Sequence, residues 1–149
     1  LQHHGAQKKK FDQALYDQND TPARAVLAKT FLLEYGLELY DNPDIYGPDM
    51  LAFKGNQFKG YVEFEVKHNW KGAICPFASL HFPMRKERIL HYRPMIFVIL
   101  NSSMSHLIWF KVEDLLEGRR IHKKTKLTDW DEGFIEVDQA RGRWIATHD

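Results

Sequence analysis

The chain has 149 residues, 44% of them hydrophobic, with 21 Lys and Arg set against 20 Asp and Glu. That is the length of one domain able to bury a sizeable core, and its near-neutral balance excludes a basic coat for nucleic acid, so any such role must rest on local patches. No apolar run reaches membrane-spanning length and the N-terminus carries no signal-peptide core, while the single Cys75 excludes an internal disulfide framework; a cytoplasmic protein with no membrane partner is expected.

Residues 1–20 are polar and include Lys8-Lys9-Lys10, a solvated end or an arm able to touch phosphate. The spacing predicts a helix over Thr21–Tyr35, with Thr21 as N-cap, Pro22 in the first turn and Gly36 as terminator. Ala25, Leu27, Ala28, Phe31, Leu32 and Tyr35 form its apolar stripe, and Glu34 projects at the edge. Leu37–Tyr40 reads as a short strand before the loop Asp41-Asn42-Pro43-Asp44.

Gly47 to Lys67 reads as two strands and a turn. Asp49 opens the first, followed by Met50, Leu51, Ala52 and Phe53; Lys54-Gly55-Asn56-Gln57 has the chemistry of a tight reversal. From Tyr61 the second strand alternates, with Val62, Phe64 and Val66 on one side and Glu63, Glu65 and Lys67 on the other. Taken alone, those charges suit a solvated face with cross-strand ion pairs as well as a site.

Residues 77–82 read as extended, and Pro83 starts a helix through about His91 that carries Arg85, Lys86 and Arg88. Met95–Leu100 is a continuous apolar run, as expected of a central strand covered on both faces. A turn at Asn101-Ser102-Ser103 leads to a strand over His106–Phe110, then a short helix over Val112–Glu117. Arg119, Arg120, Lys123, Lys124 and Lys126 concentrate positive charge in a predicted loop, followed by Asp129, Asp131 and Glu132. Phe134–Val137 and Arg143–Ala146 are expected as edge strands. The expected fold class is α/β, a central mixed sheet flanked by helices.

Pro48-Asp49 and Glu65-Val66-Lys67, in a strand–turn–strand context after an amphipathic helix, resemble the motif of the PD-(D/E)XK nuclease superfamily. The resemblance spans roughly residues 21 to 111 and implies a restriction-endonuclease-like core and Mg²⁺-dependent hydrolysis of DNA phosphodiesters, with Mn²⁺ as substitute. It implies Asp49 and Glu65 as metal ligands with Glu34 as a third, and Lys67 acting on the water or the transition state. Arg85, Lys86, Arg119, Arg120, Lys123 and Lys124 would grip DNA phosphates, and a homodimer could share recognition. Asp44, in a second Pro-Asp dipeptide, competes with Asp49, which is preferred because an apolar strand follows it directly. The alternative is a non-catalytic nucleic-acid or protein-binding module on the same fold.

Overall fold

The computed structural model describes residues 13–124 and 131–148. It opens with helix α1, Gln13–Tyr35, which packs Ala23, Leu27, Thr30 and Phe31 out of solvent at three- and four-residue spacing. The helix starts earlier than its Thr-Pro sequence predicts. Pro22 lies inside it at an exposed position, and Arg24 and Asp20 are ion-paired across that turn at 2.7 Å. Ala25 and Leu32 are exposed, so the buried stripe is narrower than expected. Gly36, at φ +68°, closes the helix with its N–H on the Leu32 carbonyl at 2.9 Å.

Three antiparallel strands follow: β1 (Glu38–Asp41), β2 (Met50–Lys54) and β3 (Gln57–Lys67). The β2–β3 turn is the two residues Gly55 and Asn56, with Gly55 at φ +60°. After β4 (Ser79–Pro83) and a 3₁₀ helix (Met84–His91), the chain enters β5 (Met95–Asn101), which pairs parallel to β3. The expected helix over this stretch is therefore 3₁₀ in type. Next come β6 (His106–Lys111), α2 (Val112–Leu116), β7 (Arg119–Lys124), β8 (Asp131–Asp138) and β9 (Arg143–Ala146).

Among the described residues the strands form a mixed six-stranded sheet ordered β1-β2-β3-β5-β6-β9 and a three-stranded sheet ordered β4-β8-β7. The class is mixed α/β. Helices do not flank both faces of one sheet, however. α1 covers one face of the large sheet, meeting Met50, Val62, Phe64, Val98 and Leu100. The other face is covered by the small sheet, the 3₁₀ helix and α2, around Phe82, Phe97, Ile99, Phe110 and Ile135. β5 lies between these two cores and is buried along nearly all its length, as its apolar run requires.

The basic stretch expected as a loop is strand β7, bound to β8 from Arg119↔Glu136 to Lys124↔Asp131. β8, expected at an edge, is the middle strand of the small sheet, whereas β9 does lie at the edge of the large one. The side chains of Lys123, Lys124 and Asp131, and all of Lys126 and Asp129 and of the N-terminal lysine run, lie outside the described residues.

Candidate functional site

Asp49 ends the β1–β2 loop, one residue before β2. The loop is stitched to itself: the Asn42 amide nitrogen donates to the Pro48 carbonyl at 2.8 Å, and the Asn42 N–H donates to the Asp49 carbonyl at 3.0 Å. Met50 pairs with Val62, so the next position along the ladder sets Asp49 opposite Glu63. The contacts agree. The Asp49 N–H donates to Glu63 Oε1 at 3.1 Å, and Asp49 Oδ2 accepts from the Phe64 N–H at 3.0 Å.

Alternation along β3 turns Val62 and Phe64 toward α1 and turns Tyr61, Glu63, Glu65 and Lys67 toward the opposite layer. From that layer the 3₁₀ helix delivers Lys86, whose Nζ donates to Glu63 Oε2 at 2.9 Å. Glu63 is not part of a solvated face: its side chain is 5% exposed, so it is a buried carboxylate whose charge is answered by one ammonium. From the α1 side comes Arg24. Its guanidinium donates to the Asp49 carbonyl at 3.2 Å, lies 3.6 Å from Asp49 Oδ1, and pairs with Asp20 at 2.7 Å and Asp41 at 2.8 Å. Beside it opens a cleft of about 630 Å³ lined by Asp20, Arg24, Asp41, Asn42, Asp44 and Asp49, among others.

The electrostatics follow from this placement. Burial, and next repulsion from Glu63, push the Asp49 carboxyl from its ordinary 3.8 up to about 7, against the pull of Lys86, the Phe64 N–H and Arg24. Burial of Lys86 would release its proton, but Glu63 and Asp49 outweigh it and hold the ammonium above its ordinary range, with Glu65 adding to the effect. Lys86 is thus a fixed cation at neutral pH, suited to steadying charge on a phosphate rather than to removing a proton.

The residues expected from sequence divide sharply. Asp49 and Lys86 meet at one place, with Glu65 one same-face step beyond Glu63, about 7 Å along the strand. The carboxylate facing Asp49 is that of Glu63, not Glu65. Lys67 is a further step away and sets its Nζ over the Phe77 ring at 5.2 Å. Glu34 is not brought to Asp49. It sits ten residues beyond Arg24, roughly 15 Å along the helix, and pairs with His148 at 2.7 Å. The acid that α1 contributes beside the site is Asp20. Asp44 stays in the loop, where its side chain accepts the Tyr46 N–H at 3.0 Å.

The expected phosphate-gripping residues are largely engaged. Arg85 pairs with Glu132, Arg119 with Glu136 at 2.8 Å, and Arg120 with Glu87 at 2.7 Å. Lys86 serves the carboxylates. Sequence reasoning left open whether Glu63 joins the metal site, and missed Arg24 entirely. The signal for Arg24 was its four-residue spacing from Asp20; that for Glu63 was Gly60, a glycine inside a strand pattern.

Among the described residues no group of three or more His, Cys, Asp or Glu side chains is placed to hold a metal ion. Magnesium does not need one: it commonly takes one or two carboxylates and completes its shell with water and substrate phosphate. Asp49 is pushed to about 7 by burial and then by repulsion from Glu63; a divalent cation relieves that repulsion, and the pair fits as a donor set on that ground.

Fold and cleft together define an α/β protein with a carboxylate pair, from the β1–β2 loop and β3, and an attendant lysine from the 3₁₀ helix. Comparison with protein-family models, with curated proteins and with solved structures returned no match. No helix among the described residues is long and apolar enough to cross a membrane.

Proposed function

We propose that the protein is a Mg²⁺-dependent endonuclease that hydrolyses DNA phosphodiester bonds, with Asp49 and Glu63 as the carboxylates, Lys86 as the cation beside them and Glu65 next in line. The observation that carries this reading is the Asp49–Glu63–Lys86 constellation, drawn from three elements, with Asp49 at the wall of an open cleft. Asp49 and Glu63 would hold the cation. The chemistry it would supply there is polarisation of a phosphoryl oxygen and acidification of a water. The chain's own contribution is positional. The Phe64 N–H and Arg24 orient Asp49, and Lys86 keeps Glu63 in place while offering positive charge to the phosphate. A restriction-endonuclease-like core is part of this reading. It is supported by a helix followed by an antiparallel meander whose last strand pairs parallel to β5. A homodimer sharing recognition and a cytoplasmic location belong to the same proposal.

One feature favours the non-catalytic module instead: Glu63 is already neutralised by Lys86, as a structural ion pair would be. A cleavage panel decides between them. Single-stranded, duplex, nicked and branched DNA are incubated with Mg²⁺, Mn²⁺, Ca²⁺ or excess chelator. Cleavage with the first two, little with Ca²⁺ and none in chelator is expected, together with loss in Asp49→Asn and Glu63→Gln. Full activity in chelator, or no cleavage of any substrate, would falsify the nuclease reading.

A further inference from the structure

The face of the large sheet that carries Glu63 also carries a row of aromatic rings, unused by the site. Tyr40 on β1 meets Phe53 on β2 at 5.9 Å between centroids, Phe53 meets Phe58 at 5.5 Å, and Phe58 meets Tyr61 at 5.0 Å. Tyr61 then meets Tyr92 at 4.9 Å, and Tyr92 meets His91 at 4.6 Å. The first four contacts are edge-to-face, a geometry in which neighbouring rings fix one another's rotamers. Tyr61 and Tyr92 are anchored on the core beneath, while Tyr40 and Phe58 remain 52% and 41% exposed. Rings this large, held rigid and left in water, form a surface organised before any ligand arrives.

Its position and its charge indicate the ligand. The inner end of the row abuts the cleft: a β-carbon on Gly47, two residues before Asp49, would lie 3.4 Å from the Tyr92 hydroxyl. Tyr61 precedes Glu63 by one same-face step, about 7 Å. Exposed cations accompany the row. Lys59 lies between Phe58 and Tyr61, Arg93 follows Tyr92, and Arg88 reaches the Tyr46 carbonyl at 3.5 Å. Unlike Arg85, Arg119 and Arg120, none of these is ion-paired to a carboxylate among the described residues. Glu38, which accepts from the Tyr40 hydroxyl at 3.4 Å, is the carboxylate at the outer end. A single file of rings with cations beside it is the shape of a polynucleotide strand; a protein partner would call for a broad apolar patch.

We propose that the row from Tyr40 to Tyr92 is a stacking platform for a single-stranded nucleic-acid segment, which it leads to the cleft that Asp49 lines. The inference rests on the nuclease reading for its destination but not for its binding. Bases stack on the exposed rings, and Lys59, Arg88 and Arg93 meet the backbone phosphates. The platform holds about four nucleotides, the low end for a small single-strand-binding fold.

The test uses the full chain in excess chelator, so that binding is read without cleavage. Fluorescence anisotropy is measured with a labelled oligothymidylate and with a duplex of the same length, for the parent, Tyr40→Ser, Phe58→Ser and Phe58→Trp. Both serine variants alter exposed rings, and their thermal melts check the fold. Each should bind the single strand at least about fivefold more weakly, with duplex binding unchanged, and Phe58→Trp should retain affinity. In Phe58→Trp the new indole should also be quenched by the single strand and not by the duplex. Single-strand affinity unchanged in both serine variants, or tryptophan fluorescence unmoved at saturation, overturns the proposal. So does a parent dimer that Phe58→Ser dissociates with oligonucleotide binding intact, which makes the row a contact between copies. A protein that cuts duplex DNA yet ignores the oligothymidylate refutes the platform alone. One that binds it through these rings but cleaves nothing with any metal refutes the nuclease alone.

Discussion

Replacing Asp49 by Asn should stabilise the protein while removing its activity, and the stabilisation should depend on pH. The folded chain raises this carboxyl from 3.8 to about 7, which amounts to roughly 4 kcal/mol for holding the charge at high pH. The side chain keeps 28% of its exposure and Arg24 stands beside it, so water and that partner leave about half, ~2 kcal/mol, to be gained by the neutral variant. Between pH 3.8 and about 7 the folded chain holds a proton on Asp49 that the unfolded chain has released. Stability of the parent therefore falls as pH rises through that window and levels off above it; in Asp49→Asn this contribution is absent. Asn preserves the size of the group and can still accept the Phe64 N–H. Urea denaturation at pH 3.5 and pH 8 measures the effect: similar midpoints at pH 3.5, below the ordinary carboxyl value, with the variant more stable by about 2 kcal/mol at pH 8. Mg²⁺ at ten times its dissociation constant should then return about 1.4 kcal/mol to the parent at pH 8 and none to the variant. A variant less stable than its parent at pH 8, or a difference that does not change with pH, would refute the electrostatic reasoning.

Lys86→Met should cost roughly 3 kcal/mol by leaving Glu63 buried without its cation, and adding Glu63→Gln should recover much of that loss in chemical denaturation. In single-turnover cleavage Lys86→Ala should slow the chemical step far more than Lys67→Ala, whose ammonium rests on a ring away from Asp49; equal losses would restore Lys67 to the site. Asp44→Asn keeps an acceptor for the Tyr46 N–H and should change stability by less than about 0.5 kcal/mol and leave cleavage untouched. Neutralising Arg119 and Arg120 together should barely flatten the salt dependence of duplex binding, because both are paired within the protein, whereas two independent phosphate contacts would lower the log–log slope by about two.

What sequence made legible was whatever is written in local periodicity. The Gly55-Asn56 reversal, the alternation from Tyr61, the apolar run of β5 and the Gly36 stop all stand where their residues put them. Sheet membership is not local. Arg119 to Lys124 carries one apolar residue, Ile121, and becomes a strand only because β8 offers it a partner. β8 itself reads as a strand, but nothing in Phe134–Val137 says that it lies between two others. The same limit divides the site. Asp49 was identifiable from the strand behind it, and Lys86 from its basic 3₁₀ helix. That Lys86 crosses to Glu63, and that Arg24 reaches the β1–β2 loop from α1, are facts of packing between elements distant in the chain.

Counting back from the turn explains why the place of Glu63 in particular stayed open. Lys54 faces Gln57 and Phe53 faces Phe58; an unbroken ladder would next match Ala52 with Lys59 and finish with Asp49 against Val62. Instead Lys59 is skipped, Ala52 faces Gly60, and every later partner moves along by one. Gly60 makes the skip at φ +152°, in a spot where a side chain would strike the Pro94 carbonyl, 2.8 Å from an added β-carbon. An oily valine would otherwise stand where the acid stands. The chemistry of this hairpin is thus a matter of parity: one unpaired residue, Lys59, ten positions downstream of Asp49, decides whether two carboxylates ever confront each other.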